Sequence, residues 1–343
     1  MSRIAVTGAA GPVGSRLVQH LAADPQVDTV VAVDRRDVAS RDGVTAFRRR
    51  LRDDDLAGVF DDVDVVIHLA GSDPLEDNEI DHDVHTTRRV LDAIDESDVD
   101  HLIVRSSATV YGAWPDNPIP LTEAATPRPN RESEWVQVRA RIEALVSAHA
   151  AAHPERAVAV MRPCVTVSPS GPDELGRVLA AARLVTSTVE APPAQFVHVD
   201  DVVTAIDAVR RARATGAYNV APDGALSAEL IRALVGGAPR VPLPEAVARR
   251  LTALGWRYQL APTPPGFVPF VVDPWVVAND KLTALGWVPE YANEEAFVAG
   301  HAAAPWAQIT PQRRQELALG LAGGAIVGVV VGTGALVRRR LRR

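Results

Sequence analysis

The sequence predicts an α/β fold: a doubly wound parallel sheet, a smaller C-terminal lobe, and a hydrophobic helix at the end of the chain. Three observations predict it. Short β-branched runs alternate with longer stretches of helical periodicity through the first half. A glycine-rich turn separates the first such run from the first helical stretch. Beyond residue 164 proline becomes more frequent and the elements shorten.

RIAVTG (3–8) reads as the first strand, PVGSRLVQHLAAD (12–24) as the first helix and TVVAVD (29–34) as the second strand. VDVVIHLA (63–70) and HLIVRSS (101–107) are two more strands, with a helical stretch near 84–96 between them. RESEWVQVRARIEALV (131–146) is an amphipathic helix, and AVAVMRP (157–163) a further strand. Continuous β-branched runs between helices indicate a parallel sheet covered on both faces. FVHVDD (196–201) returns the chain to that sheet. The expected organisation is one domain over 1–300 with its substrate lobe mainly from 164 onward. A linker over 301–316, a membrane helix over 317–337 and a basic tail over 338–343 follow.

Composition bounds the function. A net charge of −7 with no basic surface excess before the last residues argues against nucleic acid as a partner. Cys164 is the only cysteine, so no intrachain disulfide forms and cysteine-rich metal sites are excluded; no metal site is expected. The N-terminus has no signal-peptide layout and runs straight into a strand. The far end differs: residues 317–337, LALGLAGGAIVGVVVGTGALV, contain no charge. As a helix they span roughly 31 Å, about one bilayer core. Gly320, Gly324, Gly328 and Gly332 fall on one face, the small-xxx-small pattern of paired membrane helices, so a homodimer is one expected assembly. Five arginines follow, which the positive-inside rule places in the cytoplasm, in tension with a cytoplasmic main domain. The expectation is a cytoplasmic domain on a single-pass C-terminal anchor.

TGAAGPVG (7–14) places Gly8, Gly11 and Gly14 between strand and helix. Gly8 permits the tight turn, Gly11 lets backbone approach a pyrophosphate, and Gly14 allows close helix–strand packing. Pro12 fits the first helical turn, where its missing N–H costs nothing, and Val13 follows it. The helix N-terminus attracts the phosphates through free N–H groups and its dipole. Asp34 ends the second strand, about 20 residues past the turn, where an acid accepts from an adenosine 2′-hydroxyl. That favours NAD. Arg35 and Arg36 follow, and an arginine there suits a 2′-phosphate, so NADP is not excluded.

TGAAGPVG, VIHLAG, SSATVYG, RPCV and FVHVDD, in this order, resemble the extended short-chain dehydrogenase/reductase family, of the epimerase/dehydratase type that acts on nucleotide sugars. The resemblance covers residues 3–300 and implies a Rossmann-like domain binding a dinucleotide and a nucleotide sugar or similar polar metabolite. It also implies that Leu69, Ala70 and Gly71 line the middle of the cofactor, with Pro163 and Val165 on its nicotinamide side. Ser107 takes the role of the substrate-contacting serine. Leu51 stands near the adenine, preceded by Arg50 where the family carries an acid, and Asp83 stands where the family carries an asparagine.

The family's proton-transfer pair, Tyr-x-x-x-Lys, maps onto WVQVR, so Trp135 replaces the tyrosine and Arg139 the lysine. Indole does not titrate and cannot serve as a base. Arg139 keeps a positive charge and can still hold the ribose, though as a planar fork. The result does not depend on register. The four tyrosines, Tyr111, Tyr218, Tyr258 and Tyr291, have Pro115, Pro222, Pro262 and Glu295 four residues on. Glu132, Glu134 and Tyr111 are the substitute bases to weigh; first-turn helix charge and a packed aromatic are their plainer readings. His68 reads as a core histidine, Cys164 as a packed thiol and His198-x-Asp200-Asp201 as structural. Two functions stay open. One is an epimerase/dehydratase-like NAD(P) protein with the standard Tyr/Lys chemistry missing. The other is a noncatalytic NAD(P)-binding scaffold or sensor at the membrane.

Overall fold

A computed structural model describes residues 2–72, 82–185, 191–234, 250, 254 and 264–301 of the chain. The chain divides into two compact units, residues 1–228 with 242–301 and residues 229–241 with 302–343. Of the second unit only 229–234, within the short helix Ala228–Leu234, are described. The expected membrane helix over 317–337 and basic tail over 338–343 lie outside the described residues, as does the linker beyond His301. Among the described residues no helix is long and apolar enough to cross a membrane.

The first unit is built on seven parallel strands: β1 (Ser2–Thr7), β2 (Val27–Asp34), β3 (Val44–Arg48), β4 (Val65–His68), β5 (His101–Arg105), β6 (Ala157–Pro163) and, after three short strands introduced below, β10 (Gly216–Val220). Their order is β3-β2-β1-β4-β5-β6-β10. Ile4, Ala5, Val6, Val30, Val31, Ala32 and Val33 are fully buried, as strands covered on both faces must be. Edge strand β3 is half-exposed, which is why its VTAFR gave no apolar run to read in the sequence.

Helices α1 (Pro12–Ala22), α2 (His82–Asp95), α3 (Glu134–Ala152), α4 (Glu174–Val185) and α5 (Val199–Arg211) cover the sheets. Leu17 and Leu21 of α1 are completely buried, each contributing about 1.5–3 kcal/mol by leaving water. The amphipathic pattern predicted for 131–146 forms α3. Its buried stripe of Trp135, Val138, Arg139, Ile142, Val146 and His149 includes charged or titratable groups that hydropathy alone would have left outside.

The smaller lobe has its own three-stranded sheet, β7 (Val165–Ser168), β8 (Gly171–Pro172) and β9 (Phe196–His198), in the order β8-β7-β9. This corrects one expectation. FVHVDD does not itself rejoin the main sheet: Phe196–His198 pairs with β7, Val199–Arg211 turns back as α5, and β10 makes the return beside β6. His198 caps α5 by accepting from the Asp200 backbone N–H, and Asp201 accepts from the N–H groups of Glu290 and Tyr291. Those bonds give His198 and Asp201 structural roles other than the return to the main sheet that was expected.

Candidate functional site

The strand order reverses between β1 and β4, and open α/β sheets bind ligands at such a point, outside the carboxyl ends of the strands. Three segments meet there. The glycine turn leaves β1, Leu69–Gly71 leaves β4, and Ser106–Ser107 leaves β5.

The turn is closed on its protein side. Gly8 has φ +71°, and a Cβ there would lie 2.7 Å from the Ala70 N atom. A Cβ on Gly14 would collide with the Gly8 carbonyl oxygen. Gly11 differs: an added Cβ would meet only the Gly8 carbonyl oxygen at 3.2 Å and Arg36 Nη2 at 3.9 Å. Gly11 is also the N-cap of α1 and brings no capping side chain. The first-turn N–H groups of Val13 and Gly14 have no intrahelical acceptor, and exposed Pro12 has no N–H to satisfy. These N–H groups at the start of α1 suit a dinucleotide diphosphate.

Asp34 is 6% exposed at the end of β2. Its Oδ2 accepts from the Ala10 N–H and its Oδ1 from the Arg36 N–H, both at 2.9 Å. A carboxylate accepts about four hydrogen bonds, so capacity for a ribose hydroxyl remains. Arg36 Nε is 3.4 Å from Asp34 Oδ1, which sets the Arg36 guanidinium beside the turn. Arg35 is exposed, and its carbonyl accepts from Arg48 Nε. Leu51 is buried, with its carbonyl accepting from Arg89.

At the far side of the cleft, Trp135 and Arg139 belong to one buried cluster. Arg139 Nη2 donates to the Asp83 carboxylate at 2.9 Å, and the two side chains are 8% and 11% exposed. The same Asp83 oxygen accepts from the backbone N–H and hydroxyl of Ser72. The Ser72 carbonyl accepts from Trp135 Nε1 at 3.2 Å, and the Arg139 guanidinium lies 4.8 Å over the Trp135 ring. Gly71 is needed beside it, because a Cβ there would approach Arg139 Nη2 to 2.7 Å. Burial and the charge of Arg105 push the Arg139 pKa down, while Asp83 and Glu174 pull it up. Arg139 Nε is buried without an acceptor among the described residues.

Ser107 caps the 3-10 turn Ala108–Tyr111, its Oγ accepting from the Thr109 N–H at 3.2 Å and the Thr109 hydroxyl at 3.0 Å. Both of those bonds use its lone pairs, so its own O–H remains as a donor. Leu69 and Ala70 pack on the glycine turn. Pro163 ends β6, and Val165 is buried in β7 against Gly176, so Val165 contributes packing behind the cleft.

The substitute bases separate clearly. Tyr111 is 1% exposed, donates to Asn219 Oδ1 and accepts from Arg162, and burial pushes its pKa up. It is structural. Glu132 and Glu134 are exposed at the start of α3. Cys164 is buried and its thiol pKa is pushed well up by burial, which makes it inert. His68 sits between two threonines, Nδ1 2.7 Å from Thr7 Oγ1 and Nε2 3.3 Å from Thr87 Oγ1. Thr87 spends its proton on the Asp83 carbonyl, so His68 Nε2 carries the hydrogen and Nδ1 accepts from Thr7. Burial drops its pKa to about 4.

Two groupings escaped the sequence. Asp173, in the turn before α4, has its side chain 10% exposed and lies 3.4 Å from Arg105, and desolvation raises its carboxyl to about 6. No pattern in SPSGPDELG signals that. Asp95, His149 and His153 converge at the other end of α3. The i, i+4 histidines of HAAAH were a usable signal, but their carboxylate partner is far off in sequence.

Comparison with known proteins supports the same frame. The structure is similar to that of MoeE5 in complex with UDP-glucuronic acid and NAD: TM-score 0.65, 23% identity, 87% of this chain and 97% of that one. It is also similar to UDP-glucuronic acid 4-epimerase from Bacillus cereus in complex with UDP-glucuronic acid and NAD: TM-score 0.66, 18% identity, 87% and 97% coverage. At these identities the likeness is one of fold. In sequence the chain is 27% identical over 258 residues to an uncharacterised protein of Mycobacterium tuberculosis, covering 70% of this chain and 67% of that one. It is 34% identical over 115 residues to L-arabinose 1-dehydrogenase (NAD(P)(+)) of Haloferax volcanii, covering 32% and 43%. With the family's own model matching residues 4–221, from the first strand through the last strand of the main sheet, the chain belongs to the NAD dependent epimerase/dehydratase family.

Proposed function

We propose that this protein binds NAD in the cleft above Gly8–Gly14 and has exchanged the family's proton relay for a structural cluster, so that it holds the dinucleotide without the standard chemistry. One observation carries this reading: Trp135 and Arg139 are committed to Ser72 and Asp83 inside a buried, mutually bonded group. Nothing at those two positions takes or gives a proton at neutral pH. The chain's residues bind and orient. The α1 N-terminus faces the diphosphate, Asp34 the adenosine ribose, and Arg139 the nicotinamide side. NAD, when bound, supplies a hydride acceptor there. The solved structures of similar fold hold NAD together with nucleotide sugars, which makes a nucleotide sugar the substrate class to test first. The test is a turnover assay of the NAD-loaded full chain with UDP-glucose and UDP-glucuronic acid, beside the double variant Trp135→Tyr/Arg139→Lys. This reading expects no epimer and no NADH from either protein. Turnover by the natural sequence would overturn it.

A second reading, an enzyme with another acid/base, is favoured by Asp173. A buried carboxyl that titrates near 6, next to an arginine, is a recognised signature of a functional group. Against it, Asp173 Oδ1 accepts from the Gly176 N–H at 2.9 Å, as a helix cap does. Should turnover be found, loss of that turnover in Asp173→Asn selects this reading.

We further propose that residues 317–337 anchor the domain to a membrane, on the ground of 21 residues without charge followed by an arginine cluster. Fractionation of the full chain against a chain ending at residue 316 tests it. Equal recovery of both in the soluble fraction would sink the anchor.

A further inference from the structure

The C-terminal ends of α2 and α3 carry a grouping that the cofactor cleft does not use. Asp95 is the last residue of α2. His149 lies in the last turn of α3, and His153 is its C-cap, four residues on and therefore on the same face. Eighteen residues of α3 separate Trp135 from His153, which puts the grouping about 27 Å from the cleft. One ligand-type atom from each of the three residues lies within 4.8 Å of the others. His153 Nε2 is 3.3 Å from Asp95 Oδ1, and His149 Nδ1 is 3.9 Å from Asp95 Oδ2. A tetrahedral cation with bonds of 2.0–2.2 Å sets its ligands about 3.4 Å apart. Those two spacings, which run to different Asp95 oxygens, are within about half an ångström of that edge, while the three ligand atoms together lie within 4.8 Å.

His149 is 6% exposed; its Nδ1 faces Asp95, and the ring's other nitrogen, Nε2, is buried with no hydrogen-bond partner among the described residues. One further observation points to a ligand. His153 is held from behind, its Nδ1 3.3 Å from Glu155 Oε1, so that Nε2 turns toward Asp95. A carboxylate behind a histidine is the arrangement that orients histidine ligands toward metals. The ends of two helices also place negative dipole potential here, which favours a cation. From this geometry we propose that Asp95, His149 and His153 form a site for a divalent transition cation of the zinc type, clipping α2 to α3 and leaving at least one coordination position open.

The competing account is an ion-pair cluster. Arg156 is paired with Asp95, and its Nη2 also donates to the Ile94 carbonyl at 3.1 Å. That account needs no metal. The two differ over Arg156. In an ion-pair cluster it is the partner Asp95 requires, whereas in a metal site it is a competing cation.

The test uses tag-free full-length protein, stripped of metal and titrated at pH 7.5 with Zn²⁺, and with Co²⁺ for its visible absorption. One equivalent per chain is expected, with a rise in thermal midpoint because the metal binds only the folded state. His153→Ala and Asp95→Asn should each weaken uptake about 10-fold or more, and Arg156→Gln should strengthen it. His153 is 30% exposed, and His153→Gln keeps a polar group at the helix end in case the alanine variant folds poorly. No uptake by the natural sequence overturns the site. So does uptake that survives unchanged in the His153 and Asp95 variants, which would place the metal on others of the nine histidines.

Discussion

Arg139 Nη2 lies 2.9 Å from the Asp83 carboxylate, joining α3 to α2 through a buried ion pair. The pair is not isolated. Ser72 and Trp135 complete it, with Trp135 bonded to the Ser72 carbonyl and covered by the Arg139 guanidinium. Arg139 Nη2 is taken up by Asp83 and the Ser72 carbonyl, while its Nε has no acceptor among the described residues.

Removing one partner of a buried pair strands the other charge, at a cost of about 3–5 kcal/mol. Arg139→Leu and Asp83→Leu should each lower stability by about that amount in urea denaturation. The double substitution should cost less than the sum, since no lone charge remains. Additive losses would mean that the two side chains do not interact in solution.

The glycines of the turn should separate into two kinds. Gly14→Ala drives a methyl into the Gly8 carbonyl and should destabilise the fold by about 1–3 kcal/mol with or without cofactor. Gly11→Ala brings its methyl to 3.2 Å from the Gly8 carbonyl oxygen, tight but short of a collision, and should lower the thermal midpoint of the free protein less than Gly14→Ala does. It should weaken NAD by about 10-fold, roughly 1.4 kcal/mol, by filling the space above the turn. Comparing midpoints with calorimetric Kd for the two variants checks this.

Cofactor preference should turn on Asp34 and Arg36. Asp34→Ala removes the expected acceptor for the 2′-hydroxyl and also unpairs the Ala10 and Arg36 N–H groups. NAD affinity should fall about 10-fold or more, the worth of one or two hydrogen bonds. Arg36→Ala should leave NAD affinity nearly intact and reduce whatever NADP affinity exists. A Kd series over the four variant–cofactor combinations separates these roles, and a loss of NAD affinity in Arg36→Ala would reassign them.

Stability should fall in mild acid. Burial drops His68 and His101 from the usual 6.5 to about 4 in the folded state. Their contribution is therefore complete above pH 6.5 and is lost as pH falls toward 4, because the unfolded chain takes up the protons first. Each is worth at most about 3 kcal/mol. Asp173 acts oppositely, since its raised carboxyl gains protons in the folded state first, between about 6 and 3.8. Two histidines outweigh one aspartate, so the urea midpoint should drop from pH 7 to 4.5. His68→Gln, which cannot titrate, should flatten the curve. An unchanged slope would show that His68 is not buried neutral.

What the sequence made legible follows from burial. β1, β2, β4, β5 and β6 were readable as buried, valine- and isoleucine-rich runs, and α1 and α2 by the helical spacing of their buried residues. β3 and β10 were not readable: VTAFR lies at one edge, and GAYNV, at the other, starts exposed with a glycine and carries Asn219 for a bond to Tyr111. The glycine turn and Asp34 were found because spacing alone marks them. That no tyrosine has a lysine four residues on was equally plain. The pairing of Asp83 with Arg139 was not, because the two are 56 residues apart and meet only when α2 packs on α3. The same holds for Asp95 with His149, and for Arg105 with Asp173, whose partners come from different elements.

The central claim is that this chain keeps a working NAD site without the relay. Calorimetric titration of the full-length protein with NAD⁺, NADH, NADP⁺ and NADPH tests it most directly. The account predicts one NAD(H) per chain, bound more tightly than NADP(H). Absence of binding to all four would contradict it and leave the glycine turn as a tight βα connection only.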